Sequence, residues 1–373
     1  MNKFRKKFGE STLATDFPTA IIAILLSLYG IIMVASAVRG ADSYVTKQAF
    51  AVFLGICFMF ILSNINYEYL LNTKLSIAIF ICSIFLLILT LLIGFGSGNQ
   101  NWISLKGLSL NVQPSEFVKI FFIITFAKHL DSVRTSINHI KNVCLLLLHA
   151  GIIIGLVMLQ GDLGSALIFI CIAVTMCFVQ GMSIWYMLGG GVIITLASPY
   201  LWQLLKPYQQ QRILVGFNPE LDPLGYGYQQ ILSKKAIMNG GLVGTGYMES
   251  TVSPTIPYNH TDMIFSVLTE ELGLLGVIVL LVLLVILVAR IIKTAFMARK
   301  NIGSVICAGV AAMLIAQTIE NIGMTLGLLP IIGITLPFMS YGGSSVLSIF
   351  LSLGIVMSVY RFRGKYFFER EPS

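Results

Sequence analysis

Ile256-Pro257-Tyr258-Asn259-His260-Thr261-Asp262-Met263-Ile264-Phe265, followed by Glu270-Glu271 and an apolar run to Ala289, is where a long polar segment becomes a membrane-length apolar one. A carboxylate at such a boundary is costly and asks for a functional explanation. Asp262 also suits the N-cap of the helix that follows, and the sequence leaves both readings open. Outward from this stretch, composition fixes the class: 57% of the 373 residues are hydrophobic and 11% are charged, which excludes a soluble surface.

Apolar runs long enough to cross a hydrocarbon core of roughly 30 Å fall near residues 18–38, 46–64, 74–95, 115–129, 142–159, 163–180, 183–204, 263–289, 302–324 and 336–359. The sequence therefore predicts an all-α polytopic membrane protein, a single integral membrane domain over residues 1–373 with about ten transmembrane helices. The large loop 205–262, between the seventh and eighth helices, is expected on the extracytoplasmic, periplasmic side. The run at 115–129 is short, and those at 163–180 and 183–204 are nearly continuous. The first run ends at Val38 without a small-residue cleavage site, so it is expected to stay as an anchor.

Lysine and arginine flanking membrane spans are retained in the cytoplasm. Lys3, Arg5, Lys6 and Lys7 precede the first span, and Arg361, Arg363, Lys365 and Arg370 follow the last. Lys74, Lys128, Arg134, Lys141, Arg290, Lys293, Arg299 and Lys300 occupy the even-numbered loops. The odd-numbered loops hold fewer: Arg39, Lys47, Lys106, Lys206, Arg212, Lys234 and Lys235, while Lys119 lies within a helix. Both termini are thus expected in the cytoplasm. The net charge of +8 then reflects anchoring to anionic lipid, and a nucleic-acid partner is not expected.

The six cysteines fall in or beside the spans with no CxxC pair, and the four histidines are scattered with no metal-ligand spacing. Within the loop, Asn218 to Tyr228 is turn-rich, Ser233 to Met238 suits an interfacial helix, and Gly240-Gly241, Gly244 and Gly246 allow close approach to a ligand or a helix.

Three further polar clusters open helices on the same outer side as Asp262: Gln113-Pro114-Ser115-Glu116 with Lys119, Gln160-Gly161-Asp162-Leu163-Gly164-Ser165, and Leu336 to Ser345. Helix N-termini gathered on one face suit an anionic ligand. Glu116 and Lys119 are three apart and can pair, Asp162 can be an N-cap, and the Tyr341-Gly342-Gly343-Ser344-Ser345 run can be a small-residue helix contact. Gln317, Glu320 and Asn321 place polar groups inside the ninth span, facing a bundle interior or cavity.

Taken in order, these motifs resemble those of the shape, elongation, division and sporulation family of bacterial membrane glycosyltransferases. The residues that carry the resemblance are Gln113 to Glu116 with Lys119, Gln160 with Asp162-Leu163-Gly164, Tyr208 to Ile213, Asn218 to Tyr228, His260-Thr261-Asp262, Glu270 to Gly273, Asn321 to Met324, and Ser340 to Ser345. The Asn218 to Gly225 run and the preceding Tyr208 to Arg212 tilt it to the elongation branch. Departures are Gly161 where the family usually has Pro, Gln100-Asn101 where a basic residue precedes Trp102, Thr245 where Lys stands, and Pro257-Tyr258-Asn259 where Leu-Pro-Glu stands.

The resemblance implies polymerisation of lipid II with release of undecaprenyl pyrophosphate, a class B penicillin-binding protein (a transpeptidase) as membrane partner, and a place in the elongation machinery. It implies Asp262 as the catalytic carboxylate, either a general base or the ligand of a divalent cation (Mg or Mn), with no organic cofactor. Lys119, Arg212 and the Lys234-Lys235 pair are candidates for phosphate contact, with Glu116 orienting Lys119. Asp162, His260, Thr261 and Ser344 complete the expected substrate-binding set. A lipid-linked-precursor flippase and a noncatalytic scaffold are the rival readings. The penicillin-binding partner is expected to dock against the eighth and ninth helices and the large loop, where the small residues Gly303, Ser304, Ala308, Gly309, Ala311 and Ala312 of the ninth span offer a contact that internal packing explains equally.

Overall fold

The computed structural model describes residues 15–95, 100–105 and 110–363. Of the residues used above for sidedness, Lys3, Arg5, Lys6, Lys7, Lys106, Lys365 and Arg370 lie outside that set.

Every predicted span meets a helix. These are α1 (Phe17–Val38), α2 (Asp42–Asn64), α3 (Thr73–Ile93), α4 (Pro114–Ser132), α5 (Ile140–Leu159), α6 (Leu163–Gln180) and α7 (Ile184–Leu204), then α10 (Ile264–Met297), α11 (Asn301–Thr325) and α12 (Gly343–Arg361). Between α7 and α10 lie α8 (Pro207–Phe217) and α9 (Tyr228–Gly240). Among the described residues, eight helices are long and apolar enough to cross a membrane. The two predicted spans outside that group are α4 and α7. The reason at α4 is chemical: Glu116, Lys119, Lys128 and Asp131 sit on it, and its apolar residues face protein, with Val118, Phe122, Ile123 and Phe126 buried.

One helix boundary is corrected, and two local features add to the sequence reading. A short antiparallel hairpin, β1 (Ile103–Leu105) with β2 (Leu110–Val112), joins α3 to α4, its pairing extended by a bridge between Phe95 and Trp102. The last helix begins at Gly343 and not near 336, because Pro337 and the positive φ of Phe338 (65°) keep 336–342 irregular. His129 and His149, scattered in sequence, come together with Nδ1 atoms 3.1 Å apart because α4 and α5 are neighbours. His129 lies thirteen residues after Glu116, about 20 Å along α4 at 1.5 Å per residue.

α11 and α12 run through the centre of the bundle. α12 packs along α2, where a Cβ on Gly55 would strike Phe350 and one on Gly354 would strike Met59. α11 lies between α4 and α6, and Gly309 faces Ile123 and Met176 across that contact. Gly303, Gly309, Ala311 and Ala312 are buried and serve internal packing, while Ser304 and Ala308 are half-buried.

α10 is broken at Gly273 (φ 62°, ψ −163°). The backbone groups released there bond the chain that follows α9: Thr245 and Gly246 N–H donate to the Glu270 and Glu271 carbonyls at 2.9 and 3.0 Å, and Leu274 and Leu275 N–H donate to Gly241 and Leu242 at 3.0 and 3.2 Å. A membrane helix tolerates a break only where protein satisfies the freed groups. The glycines at 240–246 therefore approach a neighbouring helix, the second of the two readings left open above. A Cβ on Gly244 would strike the Glu271 carbonyl, and Gly273 needs its left-handed φ. Gly273→Ala is expected to lower the melting temperature of the detergent-solubilised protein by several degrees, the effect of roughly 1–3 kcal/mol of backbone strain. An unchanged melting curve would refute the strain.

Candidate active site around Asp262

Asp262 does not cap α10. The helix begins at Ile264 with Met263 as its N-cap and no side-chain cap bond, so the plain structural reading of this carboxylate fails. Its main chain is pinned instead. Asn321 Nδ2 on α11 donates to the Asp262 carbonyl at 2.9 Å and to the Ile334 carbonyl at 2.7 Å. Ser340 Oγ donates to the Thr261 carbonyl and accepts from Leu336 N–H, both at 2.7 Å, and Tyr341 N–H donates to the His260 carbonyl at 2.8 Å. Gln48, fully buried on α2, holds the same corner, donating to the Ser340 carbonyl at 3.0 Å and accepting from Gly342 N–H at 3.2 Å. The carboxylate thus hangs from a backbone fixed by α11, α2 and the irregular segment that precedes α12.

The Asp262 side chain is half-buried and no hydrogen bond to its oxygens appears among the described residues. Gly333 (φ 73°) passes beside it, so that a Cβ there would sit 3.5 Å from Oδ2. Burial pushes the carboxyl from the usual 3.8 up to about 6, opposed by the Arg212 guanidinium and reinforced by the Asp162 carboxylate. Arg212, on α8, lies near the rings of Tyr208 and Tyr226, its guanidinium carbon 5.9 and 5.8 Å from their centroids. His260 packs edge-on against Tyr44 with centroids 5.1 Å apart, and burial pushes its pKa below the usual value. The Thr261 hydroxyl turns back to the Tyr258 carbonyl at 3.1 Å, so it is its carbonyl that faces the site's framework.

Asp162, by contrast, does cap α6. Its Oδ1 accepts from Ser165 N–H at 2.9 Å, and its Oδ2 accepts from Ser165 Oγ at 2.8 Å, Gln113 Nε2 at 3.1 Å and Asn101 Nδ2 at 3.2 Å. These bonds tie the start of α4 to the start of α6. Asn101, one of the departures noted in the sequence, is thereby a direct partner of Asp162. Gly161, another departure, has φ 84°, which proline's fixed negative φ forbids.

Glu116 and Lys119 form the pair expected from their spacing, Nζ to Oε1 at 2.7 Å, with Lys119 wholly inaccessible. Ser348 Oγ of α12 donates to Glu116 Oε2 at 3.1 Å, and Ser344 Oγ accepts from Gln113 N–H at 3.2 Å, so α12 closes onto the start of α4. The ammonium of Lys119 is an internal counter-ion rather than an open phosphate contact. Lys234 lies across Gly327 at the end of α11, a built Cβ there falling 2.5 Å from its Nζ, and Lys235 is exposed. No bond ties that lysine pair to Asp262 among the described residues.

Glu270 and Glu271, conspicuous in sequence, are structural. Glu270 accepts from the N–H groups of Thr251, Val252 and Ser253 and from Asn239, and Glu271 accepts from Ser250 Oγ at 2.7 Å.

Comparison with known proteins agrees with this arrangement. The model of the FtsW, RodA and SpoVE cell cycle proteins matches residues 18–365. Stage V sporulation protein E of Bacillus subtilis (strain 168) is 35% identical over 362 residues, 93% of this chain and 97% of that protein. The peptidoglycan glycosyltransferase MrdB of Escherichia coli (strain K12) is 33% identical over 353 residues, 93% and 94% of the two chains. A solved structure described as "Structural coordination of polymerization and crosslinking by a peptidoglycan synthase complex" superposes with a TM-score of 0.83 at 31% identity, covering 95% of this chain and 99% of that one. With the pinned carboxylate, the buried pair on α4 and the central α11 and α12 in place, the chain belongs to the FtsW/RodA/SpoVE family, the shape, elongation, division and sporulation proteins.

Proposed function

We propose that this protein is the peptidoglycan glycosyltransferase of cell elongation, a RodA-type polymerase of lipid II, and that Asp262 is its catalytic carboxylate. A sugar hydroxyl of one lipid-linked disaccharide-peptide attacks the anomeric carbon of another; the carbon–oxygen bond to the pyrophosphate breaks, and undecaprenyl pyrophosphate leaves. The acceptor hydroxyl loses its proton in that step, which needs a base held in place. The observation that carries the reading is Asp262 itself: an acid with no capping duty, its main chain held by Asn321, its side-chain oxygens free and the guanidinium of Arg212 acting on it. Arg212 supplies positive charge for the departing pyrophosphate. The same free oxygens fit a hard divalent cation, Mg²⁺ or Mn²⁺, which when bound would neutralise pyrophosphate charge. Glu116, Lys119 and Asp162 support the floor of the site by fixing α4, α6 and α12 to one another.

The lysine and arginine distribution favours a bacterial inner membrane protein with both termini cytoplasmic and the site periplasmic. The lipid-facing row Leu274, Leu275, Ile278, Val282 and Val285 on α10 is exposed and apolar, and it fits the membrane helix of a class B penicillin-binding protein.

Polymerisation of purified lipid II in detergent, with and without the partner, tests the activity. Turnover that survives chelation of Mg²⁺ and Mn²⁺ eliminates the cation, and labelled lipid crossing vesicles without polymer favours a flippase. A pH profile tests the base. With its pKa near 6, Asp262 is ionised above that pH, so turnover rises from pH 5 to 7 and flattens beyond. Stability moves the other way. The folded protein holds the proton that the unfolded chain releases near 3.8, so stability declines as pH rises from about 4 to 6. A flat rate profile between pH 5 and 7 would remove Asp262 as the titrating base.

A further inference from the structure

Three aromatic rings from separate stretches of the chain gather at the Asp262 loop, and the chemistry proposed above does not use them. Tyr44 of α2 meets His260 and Tyr341 edge-on, each with centroids 5.1 Å apart, and His260 and Tyr341 stand 5.7 Å from each other. Main-chain bonds hold the cluster in register. Gln48, one turn after Tyr44, brackets Tyr341 by bonding Ser340 and Gly342, and Tyr341 N–H donates to the His260 carbonyl. The rings are nonetheless open to a ligand, with Tyr44 38% exposed and His260 and Tyr341 half-buried.

The imidazole is also directional. Asn259 Nδ2 donates to the Ala37 and Ser253 carbonyls, both at 3.2 Å, which fixes the amide and turns its acceptor Oδ1 toward His260 Nδ1 at 3.3 Å. Nδ1 therefore carries the proton. A neutral imidazole has only one, so Nε2 presents a bare lone pair, and no described residue donates to it. Asn259 is one of the departures noted in the sequence, and the glutamate usual there has no N–H for those two carbonyls. A hydroxyl acceptor ringed by aromatic surface suits a sugar, whose C–H face packs on rings and whose hydroxyls donate. His260 is two residues from Asp262, so their Cα atoms lie within about 7 Å.

We propose that Tyr44, His260 and Tyr341 form a sugar subsite of the reaction centre, in which His260 Nε2 accepts a hydrogen bond from a hydroxyl of a lipid-linked pyranose and the exposed Tyr44 ring packs against its apolar face. Asn259 is the positioning residue that sets the tautomer. The inference rests on the site around Asp262 taking lipid-linked sugars.

The test is ¹⁵N-histidine NMR of the full-length Asp262→Asn protein in detergent at about pH 8, above the ordinary histidine pKa, with His260→Phe identifying the resonance. His260 is expected as the Nδ1–H tautomer. Lipid II should move its Nε2 resonance upfield as a donor reaches the lone pair, whereas undecaprenyl pyrophosphate, which lacks the sugars, should leave it in place. The Nε2–H tautomer, no response to lipid II, or equal responses to both ligands would overturn the proposal. In polymerisation, His260→Phe and Tyr44→Leu are each expected to raise KM for lipid II about three- to tenfold, the worth of one hydrogen bond, with kcat held within twofold. His260→Gln, whose amide oxygen also accepts, should recover part of that loss. An unchanged KM in His260→Phe counts against the subsite. If the native protein makes no polymer, the functional reading fails by itself, and the resonance shifts still decide whether a sugar reaches His260.

Discussion

Asp262→Asn is expected to leave the fold intact and to reduce lipid II polymerisation by roughly 10²–10⁴-fold, the usual contribution of a positioned general base. The fold should survive because the bond from Asn321 goes to the residue's main-chain carbonyl, and no described residue bonds the side chain that is changed. Asparagine keeps the shape and loses the ability to take a proton or to neutralise a cation. It also removes the cost of ionising a buried acid, so the variant should melt at or above the native temperature near pH 7. Activity loss together with undiminished stability is the signature of a reacting group. Polymer formed at the native rate by purified Asp262→Asn would end the glycosyltransferase assignment of this carboxylate.

Glu270→Ala should do the opposite, unsettling the structure before the chemistry. The carboxylate, fully buried, accepts from Thr251, Val252 and Ser253 N–H at 3.1, 2.9 and 2.6 Å and from Asn239 Nδ2 at 2.8 Å. Removing it leaves those donors without their acceptor, at about 1–3 kcal/mol for each that stays buried. The loss of several kcal/mol should appear as a melting temperature lowered by many degrees and as faster proteolysis within 241–256. Glu270→Gln, which retains one acceptor oxygen, should fall between. A native melting curve for the alanine variant would show that the loop is held by something else.

The opposite fates of these acids mark how far sequence reading reached. Asp162 and Asp262 both precede a helix, and capping chemistry suits either residue equally. Nothing local separates them. What separates them is that Ser165, Gln113 and Asn101 converge on Asp162, while Met263 takes the cap position of α10 and leaves Asp262 free. The Glu116–Lys119 pair was legible because three residues along a helix is a fixed distance. The roles of Gln48 and Gly333 were not legible, because each reaches Asp262 or its loop from a remote part of the chain. Charge alone makes Lys234 and Lys235 candidates for phosphate contact, and their placement on α9 puts one across Gly327 and the other in the open.

The sequence by itself determined the class, the position of every long helix, the family motifs and the pairing on α4, because hydrophobic length and helical spacing are properties of neighbours in the chain. Only the tertiary structure decided that α10 breaks at Gly273 into the waiting glycines of 240–246, that Glu270 binds a loop, and that Asp262 is left with unengaged oxygens. Whether a buried polar group is satisfied depends on donors brought from hundreds of residues away, and folding, not local pattern, chooses them.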